Sequence, residues 1–408
     1  MLLYTWPFLF LVPLLILTLT PTSADGSFCD IFAQYYNSSD VDGYQPLILT
    51  ENGEEFRYPS RIGGRLKIPE GASIRLACPG RNNSFKNINI KPFVNAKCGA
   101  RQTFRIAGKS YPYTFRSLGC RTIVSTKTRY TTHCLGKNRT VEIGFELEGN
   151  FVPTIQVCRN DVTYVTYYTK FTLSKDIRYA QTGSPRPWWN PGTFYDGLNM
   201  NSVYNVQSNQ VRTLAMILGT DANHIRQNYI TQGQYLSRGH MAAKGDFIYS
   251  AQQNATFWYI NSAPQWASTN GGSWNSVEND VRQLVIDRSL TLDVYTGVHD
   301  IMQLPDRNGN LQDIYLTVDP KRAIPVPNVY WKVIYDPVSR KGVAILGLNN
   351  PFMRSIPAYL CTDICNNLRW LTCNSRNITA GISYACSFND ARRRISEIPY
   401  LNVIGDLV

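Results

Sequence analysis

The run Ser237-Arg238-Gly239-His240-Met241-Ala242-Ala243-Lys244 is followed by Asn261-Ser262-Ala263-Pro264-Gln265-Trp266. Asn270-Gly271-Gly272-Ser273-Trp274-Asn275-Ser276-Val277-Glu278 comes next. A histidine, two asparagines and a glutamate are spaced over a strand, a loop and a helix start. Such a set can hold one hydrated metal ion beside one proton acceptor. The helix, over residues 274–288, is the clearest element of the chain. Trp274, Val277, Val281, Leu284 and Val285 follow helical spacing and make one apolar face. Glu278 and Arg282 are four apart, so both can face one neighbour.

The three blocks resemble the DNA/RNA non-specific endonucleases of the ββα-metal superfamily. The family pattern is close to Asp-Arg-Gly-His, then Asn-x-x-Pro-Gln, then Asn-x-Gly-x-Trp-x-x-x-Glu. Arg-Gly-His alone is a weak signal; three ordered blocks with these gaps are specific. Similarity continues through Val326-Pro327-Asn328-Val329-Tyr330-Trp331-Lys332-Val333-Ile334 and so covers roughly residues 170–350. With its cysteine-bearing extension in front, the whole chain is similar to secreted arthropod members, which include duplex-preferring DNases and double-stranded-RNA-degrading enzymes. Where many relatives have Asp before Arg-Gly-His, this chain has Ser237. A hydrogen-bonding support role at that position would make the change bear on turnover rate more than on chemistry.

The resemblance implies an α+β fold: a ββα-metal nuclease domain with a central antiparallel sheet and flanking helices, preceded by a small disulfide-tied β-rich region. It also implies roles. His240 is the expected general base, since a neutral imidazole can take the proton of a water. Asn270 matches the metal ligand. One neutral oxygen suffices for Mg²⁺, with Mn²⁺ as an alternative, because Mg²⁺ keeps most of its waters. Glu278 and Asn261 match positions that orient metal waters and the site. Arg186 and Arg282 match two phosphate-stabilising arginines, whose planar forks fit phosphate oxygens. Simpler readings stand beside these. Asn270-Gly271-Gly272 can be a plain turn, Glu278 a partner of Arg282, Arg186 a loop cation and Arg238 a structural residue. The implied activity is Mg²⁺-dependent endonucleolytic hydrolysis of DNA and/or RNA, with a preference for duplexes and 5′-phosphate products. The rivals are a secreted nucleic-acid-binding protein with this fold but little activity, and a glycan-directed polyanion binder.

The 408 residues suffice for a large core in two units. Residues 2–19 are strongly apolar and no charged side chain precedes Asp25. Residues 1–24 therefore read as a signal peptide, predicting a secreted protein with no membrane span in its mature form. Residues 25–165 read as the β-rich basic region and 166–408 as the nuclease domain. Six cysteines (Cys29, Cys78, Cys98, Cys120, Cys134, Cys158) precede residue 160 and four (Cys361, Cys365, Cys373, Cys386) lie near the end. Even counts predict disulfides closed within each region. Zinc at Cys361 and Cys365 is the weaker alternative, since no neighbouring histidine completes a site. Asn37, Asn82, Asn138, Asn254 and Asn377 begin sequons.

The net charge is +12, and residues 81–139 hold thirteen Lys/Arg with no Asp or Glu. The rest of the chain is close to neutral. A field this one-sided attracts polyanions. The interleaved Phe85, Phe93, Phe104, Tyr111, Tyr113, Phe115 and Tyr130 read mostly as strand core. Among shorter elements, residues 203–218 read as helix, and 248–249 and 257–260 as strand. Residues 182–192 read as a loop. Asp306-x-Asn308-Gly309 reads as a hairpin turn, because its glycine comes too early for a calcium loop.

Overall fold

Short alternating runs in the N-terminal region close into a five-stranded antiparallel meander. Its strands are β1 (Leu47–Leu49), β2 (Ser73–Ala77), β3 (Phe93–Gly99), β4 (Thr103–Ile106) and β5 (Tyr113–Thr114), paired in that order. The computed structural model describes residues 27–32, 36–38, 41–59, 64–88, 92–319 and 321–408. The expected leader, residues 1–24, lies outside them. Period-two alternation buries Ile74, Leu76, Val94, Ala96, Phe104 and Ile106 on one face. Phe85, Phe104 and Phe115 are buried, but only Phe104 lies in a strand; Phe115 sits in a 3-10 turn, and Tyr111 and Tyr130 are exposed, so the expected alternation over 111–115 does not form.

The chain then builds an eight-stranded antiparallel sheet. It begins with β6 (Lys127–Cys134), β7 (Asn138–Leu147), β8 (Asn150–Arg159) and β9 (Thr166–Leu173). A separate hairpin follows, β10 (Leu236–His240) with β11 (Ser262–Trp266). The sheet resumes with β12 (Leu292–Ile301), β13 (Pro327–Asp336), β14 (Lys341–Leu348) and β15 (Ser383–Ser387). Its spatial order is β6-β7-β8-β9-β12-β13-β14-β15. Strands on both sides of residue 165 thus lie in one sheet, with Gln156 opposite Lys170 and Val157 opposite Thr169.

The central strands are apolar at successive positions because both faces are covered. Val294, Ile334, Val343 and Ile345 join the larger core, beneath helices α1 (Gln207–Leu218) and α3 (Asn275–Arg288). Their neighbours Tyr295, Val333, Ala344 and Leu346 face a second core against the C-terminal helix residues Phe388 and Ala391. Helix α2 (Ser250–Ala255) docks the N-terminal unit: Gln252 Nε2 donates to Tyr58 Oη at 2.8 Å, and the Tyr249 hydroxyl donates to the Arg57 carbonyl.

Several local expectations meet corrections. The helix expected over 203–218 is broken at Val206, whose extended backbone separates Met200–Asn205 from α1. Residues 248–249 and 257–260 are not strands. Tyr249 is the N-cap of α2, and Tyr259–Asn261 is a 3-10 turn leading into β11. Short apolar runs do not distinguish a strand from a buried turn. The 182–192 segment is irregular, as its turn formers predict. Strands Gln303–Pro305 and Leu311–Asp313 form the hairpin expected around Asn308-Gly309. Asp306 Oδ1 there accepts the amides of Asn308 and Asn310.

The bridges are Cys29–Cys98, Cys78–Cys120, Cys134–Cys158, Cys361–Cys386 and Cys365–Cys373. None crosses between the early and late groups, and the zinc alternative is removed. Among the described residues, no helix is long and apolar enough to cross a membrane.

Candidate active site

β10 carries Arg-Gly-His along one edge of a cleft of about 760 Å³. Its pairing places His240 opposite Ser262 and Gly239 opposite Ala263. A Cβ at Gly239 would lie 2.5 Å from Gln265 Oε1 and 2.6 Å from Tyr330 Oη. The motif therefore needs glycine there for close packing. Tyr330 Oη also donates to the Ala263 carbonyl at 2.8 Å, pinning the hairpin to the sheet.

The His240 ring lies 4.6 Å from the Trp189 ring and 5.1 Å from Phe257, centroid to centroid. Nε2 is covered and makes no hydrogen bond, and the ring lines the cleft. Burial, then the charges of Arg186, Arg238 and Lys244, push the imidazole down to about 3. It is neutral at physiological pH.

Asn261 does not line the cleft. It is fully buried, and Nδ2 donates to the carbonyls of Ala242 and Thr256, both at 2.9 Å. Oδ1 accepts the Ala242 amide at 2.9 Å. The side chain clamps the backbone leaving His240.

Asn270 opens a single π turn, Asn270–Trp274, between β11 and α3. Such turns are common at functional sites. Gly272 is needed in it, since a Cβ would meet the Ala380 carbonyl oxygen at 2.5 Å. Asn270 Nδ2 donates to Ser237 Oγ at 3.0 Å, and Ser237 Oγ donates to the Gln265 carbonyl at 2.8 Å. This network assigns the amide orientation and leaves Oδ1 to the cleft. Ser237 is thus a support of Asn270.

Glu278 lies in the first turn of α3, and Arg282 one turn on. Burial first, and then the Asp246 charge, raise the Glu278 carboxyl to about 7 against the opposing pull of Lys332 and Arg282. Arg282 Nη1 meets Asp246 Oδ1 at 2.6 Å, and Nη2 donates to Asn279 Oδ1 at 2.6 Å. Lys332 is buried, with Nζ donating to Thr296 Oγ1 at 2.6 Å. Arg186 is exposed on the 182–192 loop. Lys244 ties that loop down by donating to the Ser184 carbonyl at 2.9 Å.

The fold therefore brings together His240, Asn270, Glu278, Arg282 and Arg186. Asn261 supports them from behind. The cleft also contains Arg238, Lys244 and Trp189, and Asp246 holds Arg282 from beneath. Asp246 had no sequence signal, since nothing about Lys244-Gly245-Asp246 marks a partner 36 residues away. Among the described residues, no group of three or more His, Cys, Asp or Glu could enclose a metal. The donor set fits a sparsely ligated hydrated ion instead: one oriented amide and one carboxylate lining the same cleft.

An antiparallel sheet backing a ββα element, with a basic cleft around one neutral histidine, defines a nuclease-type site. Residues 136–391 match the family described as DNA/RNA non-specific endonuclease, and the chain belongs to that family. A salivary endonuclease of Lutzomyia longipalpis is 27% identical over 340 residues, covering 81% of this chain and 74% of its own. Salivary protein Tsal2A of Glossina morsitans morsitans is 24% identical over 360 residues, covering 87% of this chain and 88% of its own. A solved chain of the EndoG/EndoGI complex aligns at 18% identity and a TM-score of 0.33, over 50% of this chain and 75% of that one.

Proposed function

We propose that the protein is a secreted, Mg²⁺-dependent endonuclease that hydrolyses phosphodiesters of DNA and/or RNA, preferring duplexes and leaving 5′-phosphates. The observation that carries this reading is the cleft itself. It sets a neutral imidazole, an oriented Asn270 oxygen and Glu278 among Arg186, Arg238, Lys244 and Arg282. Ten cysteines in five bridges and relatives named as salivary proteins support export to an oxidising compartment.

In this reading the four cations seat the scissile phosphate and its neighbours. His240 takes the proton of the attacking water. Glu278 and Asn270 would hold Mg²⁺ or Mn²⁺, Asn270 directly and Glu278 through its waters. The ion, when bound, would supply charge to the phosphate and to the departing 3′-oxygen. Asn261 and Ser237 act through His240 and Asn270 as positioning residues. A bound phosphate also offsets the cations that depress His240, so the imidazole becomes a better base once substrate is seated.

The test is digestion of double- and single-stranded DNA and RNA with Mg²⁺, with EDTA, and with His240→Ala. General-base removal is worth about 10²–10⁴-fold in rate. His240→Ala activity within tenfold of wild type, or full activity in EDTA, would sink the mechanism.

A further inference from the structure

Outside the cleft, the β3–β4 hairpin gathers exposed cations. Its alternation sends Val94, Ala96, Cys98, Phe104 and Ile106 inward, which turns Lys97 and Arg105 to solvent. These two are directly opposed in the antiparallel register. Like charges in that position weaken a sheet. The connecting turn contains Arg101 and Gln102, both exposed and both at φ 58°. Glycine, asparagine and aspartate enter that left-handed region readily; arginine and glutamine do so at a cost. One short hairpin thus combines two unfavourable features, and both serve to display cations. Lys97, Arg101 and Arg105 have no acidic partner among the described residues. Exposed Lys109 follows on the next loop. None of these residues lines the cleft.

Strain of this kind persists where function requires it. We propose that the β3–β4 hairpin is a second anion-binding element, gripping the phosphate backbone of nucleic acid outside the cleft without regard to base sequence. The inference rests on the nucleic-acid reading of the cleft. Charge complementarity supports the occupant: a polymer held by Arg186, Arg238 and Lys244 carries further phosphates past the cleft, about one charge per 1.7 Å of duplex axis. Three exposed cations on one hairpin, without acidic partners among the described residues, match such a ligand.

The test uses the full chain carrying His240→Ala, so that binding is read without cleavage. Fluorescence anisotropy measures affinity for a labelled duplex several turns long, as a function of salt. Lys97→Val/Arg105→Thr removes the opposed charges, and Arg101→Gly/Gln102→Asn relaxes the turn; neither creates a sequon. Duplex affinity should fall roughly tenfold or more in low salt. The slope of log K against log salt should become shallower by about 0.9 for each phosphate that the variant no longer neutralises. Tm should stay level or rise, an outcome that a merely structural hairpin would not give. Unchanged affinity and slope in the folded variants overturn the proposal. So does loss of heparin binding with duplex binding intact, which would make the hairpin a glycan site. If the charge-removing variant is less stable than its parent, Lys97→Gln/Arg105→Gln decides, because it keeps the long side chains; parental duplex affinity in that protein overturns the idea. Failure of the His240→Ala parent itself to bind duplex would sink the nucleic-acid reading along with it, so the two failures are distinguishable.

Discussion

Glu278 and His240 are held away from their ordinary protonation by opposite arrangements within one cleft. The imidazole is buried among cations and stays neutral. The carboxyl is buried beside Asp246 and holds its proton to about pH 7. Protons and a divalent ion therefore compete at Glu278. The Mg²⁺ concentration for half-activation should fall as pH rises toward 7 and level off above it; a pH-independent titration would contradict this. Because the folded pKa lies above the ordinary 4.5, the stability contribution of Glu278 is full below about 4.5 and is lost as pH rises through 7. Glu278→Gln should thus raise Tm above pH 7, with the advantage vanishing below 4.5, while activity is lost. Thermal melts across that range would settle the sign. Ser237 gives a separate prediction. Its Oγ is the acceptor that orients Asn270, and losing such a support typically costs about 10–100-fold in metal affinity or activity. Ser237→Ala should raise the Mg²⁺ requirement more than it lowers the rate at saturating Mg²⁺. An unchanged Mg²⁺ titration would make Ser237 incidental.

At the scale of elements, the site stands on a hairpin, a π turn and a helix start, and close packing joins them. Gly239 shows how little slack exists, with Gln265 and Tyr330 both inside ordinary contact of a Cβ. Gly239→Ala should destabilise the protein by about 1–3 kcal/mol, as overpacking does, and lower activity with it. A denaturant midpoint equal to wild type would show that the hairpin can give way. Much of this was legible in the sequence. The three blocks marked the cleft through their resemblance to the family pattern, and Trp274, Val277, Val281, Leu284 and Val285 marked the buried face of α3 by their helical spacing. What was not legible came from tertiary contacts. Asp246 became the partner of Arg282 only through the fold. Residues 257–260 are apolar like a strand, yet they are buried by rings gathered around Trp189 rather than by a ladder. Val206 interrupts a helix that its neighbours' spacing would continue.

At the scale of the molecule, the eight-stranded sheet couples the basic N-terminal region to the half that carries the candidate site, because β9 is sandwiched between β8 and β12. A chain beginning at residue 166 would leave one ladder edge of β9 and the helix α2 surface uncovered. It should be recovered aggregated or unfolded, and calorimetry of the whole protein should show one cooperative transition. A soluble, active 166–408 fragment would refute this coupling. The disulfides obey a different division. Between Cys158 and Cys361 no bridge holds the chain, and the hairpin, the π turn and α3 all fall in that span. Yet the sheet that carries the site is cross-linked at both ends, with Cys134–Cys158 tying β6 to β8 and Cys361–Cys386 fastening β15. In a molecule that melts as one unit, bonds far from the cleft hold the cleft in shape. Reducing the bridges should lower Tm and cutting together, and synthesis in a bacterial cytosol should give little active protein; full activity and an unchanged melt under reduction would show that noncovalent packing suffices. A producing cell would then meet the working protein only where thiols are oxidised.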